Sequence, residues 1–352
     1  MPLTVLNVSY PLALVSPRTA GGAEQVLATL DKGIVEAGHR SLVVAPAGSR
    51  CNGLLIPARI PTGVLDENAK RNARRTFKDL IHRTLEEYPV DVVHMHGLDF
   101  HEYVPDRNIS IIVTLHLPLS WYEAAALRSS GHRVCLICVS NTQASTARSG
   151  VRIHRVITNG VEIQNCFLSR RKSNYAVVIS RICPEKGIHL AIEAAERAGI
   201  ELRIAGSVFE YSEHRDYFES MIRPRLSGRV RFLGPVGGAR KINLLSGARC
   251  LLISSLAPET SSLVAMEAMA AGTPVISFSS GALPEIVKHG RTGFLVSSTE
   301  EMSEAIAEAN SILPKICREE AERRFSAAKM VDAYLDLYTS VLKSASVARQ
   351  AA

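Results

Sequence analysis

The sequence predicts an α/β protein built from two doubly wound, Rossmann-like domains, and three observations predict it. The chain has 352 residues and is 46% hydrophobic, which is more than one core uses, since single cores stop growing below this length. Short β-branched runs alternate with amphipathic helical stretches, the pattern of a parallel sheet covered by helices on both faces. The alternation breaks off once, at Ser169-Arg170-Arg171-Lys172-Ser173-Asn174, a hydrophilic stretch that reads as a linker, and then restarts.

Strands are predicted in the first half at residues 3–8, 41–45, 91–94, 109–115, 134–139 and 153–157. Between the first two, Val26, Leu27, Leu30 and Ile34 recur at helical spacing, and Gly38 stands where a C-terminal cap belongs. The second series is predicted at 175–180, 201–205, 229–233, 250–254, 274–278 and 293–296, with helices over 187–198 and 261–271. From residue 326 to about 342, Met330, Ala333, Tyr334, Leu337 and Tyr338 fall at helical intervals after the second sheet should be complete. This tail is expected to pack back across the first domain. The expected division is therefore 1–168, 169–325 and a returning helix in 326–352. Residues 48–68 and 97–108 match no pattern.

Composition narrows the function classes. A formal charge of +7 and a pI near 9.1 favour an anionic partner, whether nucleic acid, membrane surface or phosphorylated substrate. Aromatic content of 5%, without basic-aromatic interleaving, argues against nucleic acid. The apolar start at 3–15 is preceded by no basic residue and is interrupted by Pro11, so it reads as a first strand rather than a signal peptide. No run reaches the length of a bilayer span. Seven cysteines in no scaffold spacing suggest reduced thiols and a cytoplasmic setting. Cys135 and Cys138 lie on one predicted strand with side chains on opposite faces, which suits core filling rather than a metal pair.

The strongest chemical signal is the run from Ala257 to Ile276, APETSSLVAMEAMAAGTPVI. It reads as a loop holding Glu259, then a helix opening near Ser261 and closing at Gly272, whose free amides and dipole make a seat for phosphate. If 260–267 are mostly helical, Glu259 and Glu267 stand up to about 12 Å apart along the axis. That spacing suits the two ends of an extended nucleotide-sugar. A glycoside hydrolase using both acids is the rival reading, and it needs the pair within about 10 Å across a pocket.

Three further clusters lie where switch-point ligands bind. Ser180-Arg181-Ile182-Cys183-Pro184-Glu185-Lys186-Gly187 puts two cations at a strand's carboxyl end. Gly21 and Gly22 open the first helix and allow close backbone approach. His116 ends the strand at 109–115, while His94 and His96 end the one before it. A metal cluster there is conceivable, yet the chain has neither Asp-x-Asp nor His-Glu-x-x-His, and His94 reads better as a buried structural residue. The basic stretch 70–83 holds Lys70, Arg71, Arg74, Arg75, Lys78 and Arg83 beside Phe77, Leu80, Ile81 and Thr84. It reads as a solvated helix face or as a peripheral contact with an anionic membrane.

The Glu-x7-Glu stretch with its Glu-Ala-Met-Ala-Ala-Gly-Thr-Pro-Val continuation resembles the signature of family 4 glycosyltransferases, retaining enzymes of the GT-B fold. Weaker matches agree in order along the chain, among them Asn159-Gly160-Val161, Ile204-Ala205-Gly206, Gly281-Ala282-Leu283-Pro284-Glu285 and Gly290-Arg291-Thr292-Gly293. The resemblance implies two domains facing across a cleft and a hexose-type sugar moved from a UDP- or GDP-linked donor to a sugar, lipid-linked or small-molecule acceptor. It implies that Glu267 binds the ribose, that Glu259 and His116 contact the transferring sugar, and that the amides of Leu263 and Val264 hold the diphosphate. Arg181 and Lys186 would neutralise that diphosphate in place of a metal, so neither metal nor cofactor is expected, nor nucleic acid. Gly21, Gly22 and Gly206 would lie beside the donor. Where the family carries Gly-Phe-Gly after the first glutamate, this chain has Thr260-Ser261-Ser262, which brings hydroxyl donors to the same place.

Overall fold

The structure is a computed structural model describing residues 2–19, 21–60, 66–128, 134–169 and 172–350, the last five without their side chains. Two compact units divide the chain: Met1–Asn159 with Ala327–Ala352, and Gly160–Ser326.

The first unit holds a parallel sheet of β1 (Thr4–Val8), β2 (Arg40–Pro46), β3 (Leu54–Ala58), β4 (Val92–Met95), β5 (Ser110–Leu115), β6 (Val134–Cys138) and β7 (Ile153–Val156). Their order across the sheet is β3-β2-β1-β4-β5-β6-β7. The second holds β8 (Tyr175–Ile179), β9 (Glu201–Ala205), β10 (Val230–Phe232), β11 (Cys250–Ile253), β12 (Val275–Phe278) and β13 (Gly293–Val296), in the order β10-β9-β8-β11-β12-β13. In both sheets the winding reverses once, between β1 and β4 and between β8 and β11. The carboxyl ends beside those reversals are where doubly wound sheets bind ligands.

The central strands read clearly because they are buried on both faces; Val5, Leu6, Val8, Val92, Val93, Ile112 and Val113 are all fully enclosed. The pattern missed β3. It is an edge strand, mostly exposed or half-buried, with Pro57 inside it, and edge strands tolerate both features. The passage between units also falls earlier than the hydrophobicity suggests. Val161 donates its amide to the Phe325 carbonyl at 2.8 Å, and Ile163 and Cys166 are buried in the second unit's core. Of the hydrophilic stretch, Arg170 and Arg171 lie outside the described residues. Lys172 does not hang in solvent; its ammonium donates to Thr273 Oγ1 at 2.6 Å and to the Ser246 carbonyl at 2.8 Å.

The tail forms one helix, Ala327–Gln350, which belongs to the first unit and packs on the helix Gly22–Glu36. Gly33 permits that approach, because a β-carbon there would strike the methyls of Val331. Tyr334 and Tyr338 are fully buried, and their hydroxyls lie 2.9 Å from Thr114 Oγ1 and 2.8 Å from His94 Nδ1. The last helix thus supplies polar partners that β4 and β5 would otherwise lack. Tyr338→Phe removes one of them and leaves a buried imidazole nitrogen unsatisfied, which costs about 1–3 kcal/mol. The midpoint of urea unfolding should fall accordingly with its slope unchanged; an unaltered midpoint would show that the bond contributes nothing.

Candidate functional site

In the second unit, the connections leaving β8 and β11 are joined through their backbones. Gly187 has φ of +56°, and a β-carbon there would collide with the Ser254 carbonyl. Ser254 Oγ donates to the Lys186 carbonyl at 3.1 Å, and the amides of Leu256 and Ala257 donate to the Glu185 carbonyl. A third loop supports them. Gly281, at φ of +57°, lies against the Glu259 backbone, and Ala282 donates to the Glu259 carbonyl at 2.7 Å. Gly206 stands at the end of β9, too close to the Ser180 carbonyl for any side chain.

These loops bring two predicted residues together. Lys186 Nζ lies 2.5 Å from Glu259 Oε1, which also accepts from Ser255 Oγ at 2.5 Å. Both side chains remain partly open to solvent, at 22% and 15%. Glu267 has its own cation, with Lys241 Nζ 2.5 Å from its Oε2; that approach lies outside hydrogen-bond geometry. Arg181 does not join the Lys186–Glu259 pair. Its guanidinium stands over the Phe209 ring at 6.0 Å.

The helix that bears Glu267 is shorter than the sequence suggested. It spans Leu263–Ala270, with Ser262 as an extended N-cap. Thr260 and Ser261 are not helical, so only part of the segment between the glutamates follows the helix axis, and the spacing of about 12 Å reckoned from a fully helical run does not apply. The first amides, those of Leu263 and Val264, have no intrahelical carbonyl to reach, and no side chain caps them. Beside them Ser261 Oγ is buried with no partner among the described residues. Bare amides, a buried hydroxyl and a lysine–carboxylate pair therefore converge at the β8/β11 reversal, an arrangement able to hold an anion and a polyol.

The first unit presents Gly21 and Gly22 at the start of the helix Gly22–Glu36. Glu24 folds over Gly21, so that a β-carbon at Gly21 would strike its carboxylate. The expected bare helix start is thus partly covered by its own acid. At the other side of the β1/β4 reversal stands a column of histidines. His94 engages Tyr338 with Nδ1 and Thr114 with Nε2, at 2.8 and 2.7 Å, and both nitrogens are spent on structure. His96 Nδ1 lies 3.0 Å from His116 Nε2, and the two rings stack. His96 Nε2 is buried with no partner among the described residues. Burial holds all three imidazoles neutral: it pushes His116 down to about 4, and His94 and His96 well below their ordinary value.

Lys241 and Ser255 thus join the second unit's cluster, and His96 the first unit's histidine column, although the motifs did not single them out as site residues. Lys241 and Ser255 carry no local signal, because their roles exist only once β8, β11 and the intervening helix are packed. The helix Glu67–Glu87 also differs from one reading of its sequence. Ala73, Phe77, Ile81 and Thr84 face the first unit's core, so its apolar side is already covered. Arg74 is tied to Asp99 at 2.7 Å, while Arg71, Arg75, Lys78 and Arg83 are exposed. No helix among the described residues is long and apolar enough to cross a membrane.

Two family models match consecutive parts of the chain. Residues 20–165 match the family described as Glycosyltransferase Family 4, and residues 162–324 match Glycosyl transferases group 1. A D-inositol 3-phosphate glycosyltransferase of Saccharomonospora viridis is 37% identical over 121 residues. That stretch is 32% of this chain and spans only 28% of the relative's length. Among solved structures, sucrose-phosphate synthase from Thermosynechococcus elongatus superposes with a TM-score of 0.81 at 19% identity, over 97% of this chain and 100% of that one. Anabaena HepE in complex with UDP-glucose gives 0.73 at 20% identity, over 96% and 100%. At such identities these two show the shared GT-B fold.

The histidine column makes stability depend on pH with a definite sign. A histidine whose folded value is depressed stays neutral in the native state while its unfolded counterpart takes a proton. Stability is therefore full above about pH 6.5 and is lost as the pH falls through the window toward 4. Each such histidine contributes a slope of up to about 1.4 kcal/mol per pH unit. His116→Gln should flatten the stability profile of the first unit between pH 6.5 and 4, read by urea unfolding at stepped pH. An unchanged slope would mean that His116 titrates normally.

Proposed function

The chain belongs to the family 4-type glycosyltransferases of GT-B fold, and we propose accordingly that it moves a hexose-type sugar from a UDP- or GDP-linked donor to an acceptor hydroxyl. The observation that carries this reading is the Lys186–Glu259 pair beside the uncapped start of the Leu263–Ala270 helix. An ammonium has three protons to give, so Lys186 can keep Glu259 oriented while it also meets a diphosphate. Arg181 adds a second cation from the same loop, and the amides of Leu263 and Val264 donate to the phosphate oxygens. No metal is needed for that charge.

In this proposal Glu259 and His116 orient the sugar, with His116 acting as a neutral imidazole. Glu267, held by Lys241, accepts from the ribose hydroxyls. Gly21, Gly22 and Gly206 let the backbone come close to the donor, and the hydroxyls of Thr260, Ser261 and Ser262 stand where other members have Gly-Phe-Gly. The bond from the anomeric carbon to the leaving phosphate oxygen breaks as the acceptor oxygen bonds to the same face. The acceptor's proton passes to that phosphate oxygen, and configuration is retained. The sugar donor seen with Anabaena HepE, UDP-glucose, is of the kind proposed. The hydrolase reading gains nothing from the geometry, since each glutamate is paired with its own lysine rather than with the other. A peripheral contact of residues 70–83 with an anionic membrane would rest on charge alone, and raised salt would release it in vesicle sedimentation.

Replacing Lys186 by Ala should lower turnover by about a hundredfold or more, the scale of losing one preorganised charge donor, with little change in the thermal midpoint. Undiminished turnover would remove the proposal's main support. A thermal-shift series with UDP, GDP and ADP, each with and without sugar, should show stabilisation by one nucleotide diphosphate, and Glu267→Ala should abolish it. Equal indifference to all of them would count against a nucleotide-sugar donor.

A further inference from the structure

Beside the loop that carries Arg181 and Lys186, three groups converge that the proposed transfer does not use. Cys183, Glu185 and His214 each offer one ligand atom, and these atoms lie within 4.8 Å of one another. Cys183 precedes the turn Pro184–Lys186. His214 comes from the short helix Ser212–Tyr217, which packs against that turn. The helix is fixed in place, because Tyr217 Oη accepts from the His189 amide at 3.2 Å and meets His189 Nδ1 at 2.9 Å. His214 is only 7% exposed, and its Nδ1 is buried with no hydrogen-bond partner among the described residues. The rings of Tyr211 and Phe209 enclose it at 5.1 and 6.1 Å. A buried imidazole nitrogen without a partner is unfavourable, and the cluster that His214 belongs to adds one thiol and one carboxylate, both groups that bind metals.

We propose that Cys183, Glu185 and His214 form a site for a thiophilic divalent cation, zinc in type, that fastens the Pro184–Lys186 turn to the Ser212–Tyr217 helix. A thiol, an imidazole and one carboxylate make the donor set that zinc and cobalt prefer, whereas magnesium and calcium take oxygen ligands. With metal bonds of about 2.0–2.3 Å, ligand atoms of a tetrahedral site stand about 3.5 Å apart. Side-chain rotation of about 1 Å therefore closes the set. The thiol is protonated before binding, since burial and its bond to Glu185 raise its proton affinity. On binding, the Cys183 sulfur releases that proton to solvent and bonds to the metal as thiolate, and water fills the fourth position. Arg181 and Lys186 lie close by and set a charge against the cation, which the thiolate and the Glu185 carboxylate offset. The site uses none of the side chains assigned to the diphosphate or the sugar and holds whether or not the chain transfers sugar.

The test uses untagged, chelator-treated full-length protein titrated with Co2+. One equivalent should bind with a near-ultraviolet thiolate-to-metal band, and Zn2+ should displace it. The band should vanish in Cys183→Ser, and affinity should fall about tenfold or more in His214→Gln. Zn2+ should also raise the thermal midpoint of the parent protein, and neither variant should show that rise although both match the parent without metal. Mg2+ should do none of this. A band that survives in Cys183→Ser, the same Zn2+ shift in all three proteins, or no saturable binding would each overturn the proposal.

Discussion

The second unit's site depends on how closely two backbone loops can approach. Gly187 lies on the Ser254 carbonyl and Gly281 lies on the Glu259 backbone, and neither position admits a side chain. Those contacts fix where the carbonyls of Glu185 and Lys186 can be reached by Ser254, Leu256 and Ala257. Only then does the Lys186 ammonium fall on the Glu259 carboxylate. The ion pair is partly exposed and by itself would contribute little stability. Its position is a consequence of backbone packing, so the charges are preorganised by bonds that do not involve them. That is the condition under which charged groups act strongly on a ligand without reorganising.

The first unit reaches order by another route. Its histidines are too deeply buried to carry charge, so their arrangement rests on neutral hydrogen bonds. His94 is satisfied by Thr114 and Tyr338, and Thr114 by Tyr334, while His96 meets His116 through Nδ1 alone. Two of those partners come from the last helix of the chain, more than two hundred residues on. The helix therefore completes the β4/β5 end of the first sheet rather than decorating its surface, and Gly33 is the small residue that lets it come close enough.

Much of this was legible in the sequence, and the reasons are physical. Strands enclosed on both faces leave continuous apolar runs, so the central strands of both sheets could be read to within a residue or two. Tyr334, Leu337 and Tyr338 betrayed the returning helix through their spacing. An edge strand carries no such run, and β3, with Pro57 in it, looked like loop. The apolar side of residues 67–87 was visible, yet period alone cannot say whether a core or a lipid surface covers it; Phe77 and Ile81 turn out to face the core. Arg181, Lys186, Glu259 and Glu267 were singled out from local motifs, and of these the structure brings Lys186 onto Glu259 while Arg181 stays apart from that pair. Lys241, Ser255 and His214 were not, since each acquires its partner only through tertiary packing.

The segment Thr260-Ser261-Ser262 shows why a departure from a family pattern needs the structure to interpret it. Glycines are commonly required where φ is positive, and the loss of two of them suggests strain. Among the described residues no residue other than glycine has positive φ, so these three adopt ordinary backbone and the loop does not need glycine here. What changes is chemistry rather than shape. Ser262 opens the helix in an extended conformation, and Ser261 Oγ is buried without a partner among the described residues. A buried hydroxyl in that state is unfavourable by about 1–3 kcal/mol, an amount that a hydrogen-bonding ligand returns on binding. Discrimination among polyols at this loop would then come from which hydroxyl reaches Ser261. A site built to bond a hydroxyl rejects an analogue lacking it far more strongly than an apolar pocket rejects a missing methylene.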